Sequence, residues 1–171
     1  MRFLSIALFF ILNIASNNLL AHKSSEAQET RWKQIVVLRS ARDDVERLLG
    51  KSQSPGYDGV YHLKEGHLFV LYTALNFCEY GKDFGWNVPE GTVVEVTFRP
   101  DPMPQFSTLN LDLKRFKEVR ESPCCPDLIT FRNDEEGVAY TVNPSGTLNT
   151  IEYFPSSQYD HLRCRKQSGT P

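Results

Sequence analysis

Residues 88–100 read VPEGTVVEVTFRP, and residues 143–155 read NPSGTLNTIEYFP. When the two stretches are aligned at an offset of 55 residues, a proline, a glycine, a threonine and a closing proline coincide. The first proline and the glycine of each copy stand where a tight turn favours them. Each copy is therefore predicted to be a turn that leads into a β-strand.

The strand in each copy is predicted from its alternation of apolar and polar residues. In the first copy Val94, Val96 and Phe98 share one face, whereas Glu95 and Thr97 share the other. Alternation with a period of two is typical of a strand that buries one face. The closing proline ends the strand, because proline has no backbone N–H to donate to a neighbouring strand.

A helix is predicted upstream of each copy. In residues 39–50, RSARDDVERLLG, Ser40 is predicted to cap the helix and Gly50 to end it. In residues 109–121, LNLDLKRFKEVRE, apolar residues recur at helical spacing. These are Leu109, Leu113 and Phe116.

A hairpin is predicted after each helix. Residues 59–72 read GVYHL–KEG–HLFVLY, and Gly66 suits the left-handed position of a three-residue loop. Residues 128–143 read LITFRN–DEEG–VAYTVN, with Gly137 in the turn. The order helix, hairpin, third strand therefore occurs twice along the chain.

This order predicts an α+β fold in which two α-β-β-β half-repeats form one antiparallel sheet with helices on one face. Half-repeat one is expected at about 38–100, half-repeat two at about 107–155, and a C-terminal tail at 156–171. Neither half buries much surface alone, which favours a shared sheet of six strands. The first copy carries an insertion between its second and third strands, at about 76–90.

The N-terminus has the pattern of an export signal. Arg2 is followed by an apolar run at residues 3–12 and then by small residues. Residues 1–21 are predicted to be a signal peptide and residues 22–171 one mature domain, exported to the periplasm or the medium. The cleavage site and the choice between those destinations stay open. The sequence predicts no transmembrane segment in the mature chain.

The charge and the cysteines narrow the class further. A formal net charge of −2 with mixed signs gives no basic stripe, so no nucleic-acid partner is expected. An exported chain with four cysteines favours disulfides, and the four allow three pairings. We favour Cys78–Cys164, because it would tie an internal loop to the tail. The states of Cys124 and Cys125 stay open.

The insertion is the most informative candidate surface, because long loops in compact domains are often functional. It is rich in aromatic residues, which either fold down as a lid or anchor a partner. Together with the sheet face away from the helices, it supplies the candidates for partner binding. These are Tyr61, Phe69, Tyr80, Phe84 and Trp86.

The sequence assigns no catalytic, cofactor-binding or metal-ligating residue. In the predicted three-residue loop Leu63 pairs with His67 and His62 pairs with Leu68, which places the imidazoles on opposite faces and opposes a shared metal. The acidic pairs of the chain are interpreted as charges in the first turn of a helix, where they favour the helix dipole, and as solvated charges at the tip of a turn. No cofactor and no enzyme activity are expected.

Two family resemblances follow from these elements. The helix, glycine and hairpin at about 38–73 resemble the signature of the small outer-membrane assembly lipoproteins of the BamE (SmpA/OmlA) family. Two such units in one chain, at about 38–155, are similar to the secreted beta-lactamase-inhibitor proteins and to uncharacterised exported bacterial proteins. The tandem resemblance implies a sheet that grips a partner, although the chain lacks the lipid-bearing cysteine of the lipoproteins.

The sequence therefore predicts a secreted or periplasmic protein-binding module whose partner is another protein of unknown identity. Two other functions stay open. One is a small exported hydrolase or ligand-binding protein with its site under the 76–90 insertion. The other is a structural component of the cell envelope.

Overall fold

The computed structural model describes residues 29–54, 56, 58–74, 78, 85–120 and 127–164. The predicted signal peptide, residues 1–21, lies outside these ranges, as do Tyr80, Phe84, Cys124 and Cys125. Within them, seven strands form one antiparallel sheet. Its strands are β3 (Asp58–Leu63), β4 (Gly66–Tyr72), β5 (Val93–Pro100), β6 (Lys117–Arg120), β7 (Ile129–Asn133), β8 (Val138–Val142) and β9 (Leu148–Tyr153).

The strands lie in the order β3-β4-β5-β9-β8-β7-β6. A separate two-stranded hairpin, β1 (Arg31–Trp32) and β2 (Ile35–Val36), precedes the helix α1 (Arg42–Leu49). The prediction of a mixed fold with an antiparallel sheet is confirmed, and the sheet has one strand more than expected. The additional strand is β6.

The first predicted helix is present, with a shifted cap. The helix begins after Ala41, whose backbone N–H donates to the carboxylate of Asp44 at 2.9 Å. Ser40, the predicted cap, instead accepts a hydrogen bond from the backbone N–H of Val36 at 2.9 Å. The side chain of Ser40 therefore stabilises the turn before the helix.

The prediction of a second helix is wrong. Residues 109–121 contain the end of one short 3₁₀ helix (Phe106–Leu109), a second (Leu113–Arg115) and then strand β6. Asn110 takes a left-handed conformation with φ of 50°, which interrupts any continuous helix. Pairing of β6 with β7 supplies the backbone hydrogen bonds that a helix would otherwise make. Within the described ranges, α1 is thus the only α-helix.

The two strands of the repeated phrase are hydrogen-bonded neighbours at the middle of the sheet. β5 and β9 run antiparallel, with Val96 opposite Tyr153 and Phe98 opposite Ile151. Thr97 lies opposite Glu152, which is also its counterpart when the two phrases are aligned at an offset of 55. Thr97 and Glu152 are therefore matched both by the alignment of the two phrases and by the pairing of the two strands.

The main hydrophobic core lies between the sheet and the N-terminal elements. Side chains from the β1–β2 hairpin, the following loop and α1 pack against one face of β3, β4 and β5. The most buried of these include Ile35, Val37, Val45, Leu68, Val70 and Val96. Burying apolar surface in this layer is the main force that holds α1 and the hairpin on the sheet.

The predicted insertion joins β4 to β5 through residues 73–92, whereas β8 and β9 are joined by residues 143–147. A disulfide links Cys78 in the insertion to Cys164 in the tail, with Cα atoms 5.2 Å apart, as predicted. Next to it the backbone N–H of Cys164 donates to the carbonyl of Gly85 at 2.9 Å. The tail and the insertion are therefore fastened to each other by covalent and hydrogen bonds.

Candidate functional site

The two faces of strand β4 differ in what covers them. Leu68 and Val70 are buried in the core, and residues two apart in a strand share a face. The residues between them point to the opposite face, where Phe69 is 45% exposed and Leu71 is 41% exposed. β4 therefore has an exposed apolar side, although both of its neighbouring strands are present.

The cross-strand register defines the surroundings of these two residues. Val60 of β3 and Thr97 of β5 lie opposite Phe69, and Glu95 of β5 lies opposite Leu71. We call these five residues the open-face patch: Val60, Phe69, Leu71, Glu95 and Thr97. Each lies on a strand that is paired along its length, so the patch is presented by a rigid backbone.

Three other large apolar side chains of the described chain are comparably exposed. Leu48 is on α1, Met103 follows β5, and Leu113 is in the second 3₁₀ helix. Each belongs to a different element, whereas Phe69 and Leu71 are neighbours on one face of one strand. Single exposed apolar residues are ordinary on protein surfaces, and an exposed pair on one sheet face is more informative.

Tyr61 requires a correction as a partner-binding candidate. It is 3% exposed and lies opposite Leu68 on the covered face. A three-residue loop would have placed it opposite Phe69, but the turn contains only Lys64 and Glu65. A shift of one residue in register exchanges the two faces of a strand. Tyr61 is therefore part of the core and cannot contact a partner.

Tyr61 instead forms a buried pair with Tyr72. Their hydroxyl oxygens are 3.1 Å apart, and the guanidinium of Arg42 lies 4.2 Å from the centre of the Tyr72 ring. Burial, and then the hydrogen bond between the hydroxyls of Tyr72 and Tyr61, raise the pKa of Tyr72 above its ordinary value. The absence of a Cβ at Gly59 leaves room for both hydroxyls. This pair is a satisfied core feature rather than a reactive one.

Trp86 lies at the end of the insertion and faces inward. It packs against the core, forms an isolated β-bridge with Arg163, and has that guanidinium 4.5 Å from its ring centre. Its half-buried ring is therefore held by the tail. The other aromatic candidates of the insertion, Tyr80 and Phe84, lie outside the described residues.

The register also brings His62 and His67 directly opposite each other, which contradicts the expectation of opposite faces. Their Nδ1 atoms are 2.6 Å apart and their ring centres 4.7 Å apart. His67 shares its face with Phe69, two residues on. The imidazole pair therefore borders the open-face patch. The sequence did not reveal this pair, because Gly66 is compatible with a loop of two or of three residues.

An open groove of about 220 Å³ lies between the β1–β2 hairpin and the end of α1. Its lining is mainly apolar, and the ion pair between Lys33 and Glu65 stands beside it. The predicted alternative site under the insertion falls largely on residues 76–77 and 79–84, which lie outside the described ranges.

Other site types can be assessed within the described residues. In that part of the chain there is no group of three or more His, Cys, Asp or Glu side chains that could hold a metal ion. None of its helices has the length and apolar character needed to cross a membrane.

No protein-family model, curated protein or solved structure matches this chain. Its function is therefore inferred from its own residues and their geometry.

Proposed function

We propose that the protein is an exported protein-binding module that contacts its partner through the open-face patch and has no catalytic activity of its own. The observation that carries the proposal is the exposure of Phe69 and Leu71, at 45% and 41%, on the face opposite the core. Aromatic and aliphatic side chains on a preformed surface are the usual anchors of protein interfaces.

The composition of the patch supports a protein partner. Its apolar centre is bordered by Thr97 and Glu95, and by the two imidazoles at its end, so apolar contact and polar contact are both offered. β4 is hydrogen-bonded to β3 and β5 along the patch, and little backbone ordering is therefore needed on binding.

Export is supported by two observations. The N-terminal residues have the composition of a signal peptide, and Cys78 and Cys164 lie at disulfide distance. Disulfides persist in oxidising compartments and are rare in the cytosol. The periplasm and the external medium fit both observations.

The tandem half-repeat arrangement is also part of this proposal, and the glycines of the two hairpins support it. A Cβ at Gly66 would collide with the backbone of Arg99, and a Cβ at Gly137 with the backbone of Phe154. Arg99 and Phe154 are counterparts at the offset of 55. The resemblance to the BamE and beta-lactamase-inhibitor families rests on the same arrangement and implies the same use of a sheet face.

A capture experiment tests the proposal. The mature protein is immobilised and exposed to the soluble contents of its secretory compartment, and the bound proteins are identified by mass spectrometry. We expect a partner that the double variant Phe69→Ala and Leu71→Ala recovers at least about tenfold less well, because central apolar anchors dominate interface energies.

The matched control is the double variant Leu48→Ala and Leu113→Ala, in which two residues of similar exposure are removed from other elements. It should recover the partner as the unaltered protein does. Equal recovery by both double variants, or no protein enriched by the unaltered chain, contradicts the proposed surface.

A further inference from the structure

The pair formed by His62 and His67 can do more than border a surface. Both imidazoles leave the same face of the β3–β4 hairpin at its closed end. His62 is exposed and His67 is partly exposed, so solvent reaches the pair. We propose that the two Nδ1 atoms form a chelating site for a divalent transition-metal ion, with copper(II) bound most tightly.

The backbone places the two rings at the closest approach that a sheet allows. The backbone N–H and carbonyl of Val60 point away from β4, toward the side chain of Ser52 and the N–H of Gln53 at 2.9 and 3.1 Å. Alternation along an antiparallel strand then makes His62 and His67 a pair without mutual backbone hydrogen bonds. In such pairs the side chains are nearest to each other.

The separation of the nitrogens is close to that of a chelate. The Nδ1 atoms are 2.6 Å apart and the ring planes are at 89° to each other. A metal ion lies about 2.0–2.1 Å from each imidazole nitrogen, so two adjacent ligands are about 3 Å apart. A small rotation of either side chain opens the pair to that distance while the backbone stays as it is.

The pair has protons to rearrange before it binds metal. At 2.6 Å one Nδ1 donates a hydrogen to the lone pair of the other, so neither Nδ1 has a free lone pair until this hydrogen bond is broken. In the neutral pair, the donor ring gives up its Nδ1 proton and takes one on Nε2, and there is no net release. When the pair is protonated, one proton leaves as the metal binds, and binding therefore weakens as pH falls.

The two imidazoles supply two ligands, and water completes the coordination of the ion. Imidazole nitrogen suits copper, nickel and zinc, and affinities for such a site follow the order in which copper(II) is highest. The charged groups nearest the pair in the register are Arg99, opposite His67, and the turn residues Lys64 and Glu65. Glu65 is already paired with Lys33.

Titration of the full chain with copper(II), followed by calorimetry and by electron paramagnetic resonance, tests the site. We expect one ion per chain at this site and a spectrum that shows nitrogen ligands. The variants His62→Asn and His67→Asn should each weaken binding at least about tenfold, because one imidazole cannot chelate. Both residues lie at the surface, so circular dichroism should remain that of the unaltered protein.

Controls come from the rest of the chain. The other histidines, His22 and His161, should be replaceable by Asn without effect on affinity. A parallel titration with Cys124→Ser and Cys125→Ser removes both of these sulfur atoms as alternative ligands. If His62→Asn and His67→Asn bind copper as the unaltered chain does in both backgrounds, the site does not exist. The copper titration tests only the metal site, whereas the capture experiment tests only the proposed function, so the two proposals can fail separately.

A further variant sharpens the geometry. Arg99 places a positive charge on the same face as the bound dication. Arg99→Gln should therefore tighten binding severalfold at low ionic strength and less at high ionic strength, because salt screens the repulsion. Unchanged affinity at low salt would contradict the predicted position of the metal between the two rings.

Discussion

The two ends of the sheet are covered in different ways. Over β3, β4 and β5 lie α1 and the β1–β2 hairpin, and the side chains between them are almost fully buried. Over β7, β8 and β9 lie rings from the 3₁₀ segment: Phe106 stacks on Phe131 at 5.0 Å, and Phe116 meets Tyr140 edge-on at 5.6 Å.

This difference shows that a sheet face needs apolar cover rather than a particular secondary structure. A helix provides cover with a continuous stripe of side chains, whereas an irregular segment provides it with a few aromatic rings. Phe131, Tyr140 and Ile151 remain partly exposed under the rings, but Leu68 and Val96 are fully buried under the helix. We therefore expect the first half to contribute more of the stability.

The largest expected effect comes from the disulfide, which belongs to the first half's insertion and the tail. The variant Cys78→Ser with Cys164→Ser opens a loop with a sequence separation of 86 residues. The chain-entropy model gives a loss of about 4.5 kcal/mol in the free energy of unfolding. Denaturant unfolding of the unaltered protein with and without reductant provides a second measurement. A loss below about 1 kcal/mol would show that the two segments hold together without the bond.

A pair of leucine variants tests the comparison directly. Leu68 and Leu148 are equally buried, at 0% and 1% exposure, but only Leu68 belongs to the core under α1. Leu68→Ala should lower the free energy of unfolding by about 3 kcal/mol and Leu148→Ala by closer to 2, because a looser environment relaxes into the cavity. Equal losses, or the reverse order in urea unfolding, would break the comparison.

Much of this architecture is predictable because its signals are local. The phrases at 88–100 and 143–155 contain their own turn and alternation, so β5 and β9 appear where they are expected. The helix at Arg42–Leu49 likewise has its apolar face and its end signal within one short stretch. The disulfide was predicted from the pattern of an export signal and from the position of the tail.

The failures are at positions where partners distant in sequence decide the outcome. The spacing of Leu109, Leu113 and Phe116 fits a helix, but pairing with β7 converts part of this stretch to a strand. The first hairpin fits a two-residue or a three-residue loop, and one residue of difference reverses every side chain. That single ambiguity misplaced Tyr61 and separated His62 from His67, so the exposed face of β4 was only partly predictable.

Glycine variants compare corresponding turns of the two proposed half-repeats. A Cβ at Gly66 or Gly137 would collide with backbone, whereas one at Gly91 meets open space and one at Gly146 meets only ordinary contact. Gly91, Gly137 and Gly146 have φ values of 74°, 68° and 79°, so their changes to Ala carry a similar backbone strain, whereas Gly66 has φ of 145° and its change carries more. The first pair should therefore cost about 2 kcal/mol more than the second, from overpacking.

The four alanine variants are compared by thermal and urea unfolding. An excess cost at both Gly66 and Gly137, relative to Gly91 and Gly146, would support equivalent hairpins in the two proposed half-repeats. If Gly137→Ala is as mild as Gly146→Ala, then only the first hairpin is closely packed against its neighbouring strand, and the equivalence of the halves fails.

The smallest change in stability at neutral pH is expected from the variant Tyr153→Phe, and a distinct change is expected at alkaline pH. Tyr153 lies opposite Val96, where β5 pairs with β9. Burial, with a contribution from Tyr140, raises the pKa of Tyr153 to about 12, above its ordinary value of about 10. The folded state therefore holds this proton more tightly than the unfolded state does. Its contribution to stability is fully present below pH 10 or so and is lost as pH rises toward about 12.

Tyr153→Phe keeps the ring and removes the ionisable hydroxyl, so the free energy of unfolding should fall less steeply over that pH range than it does in the unaltered protein. The measurement is urea unfolding at several alkaline pH values, followed by circular dichroism. Tyr140→Phe removes a neighbour whose own pKa is also raised by burial, and it should reduce the slope as well. An unchanged slope in Tyr153→Phe would mean that this ring reaches solvent, and that the two halves are not closely packed across β5 and β9.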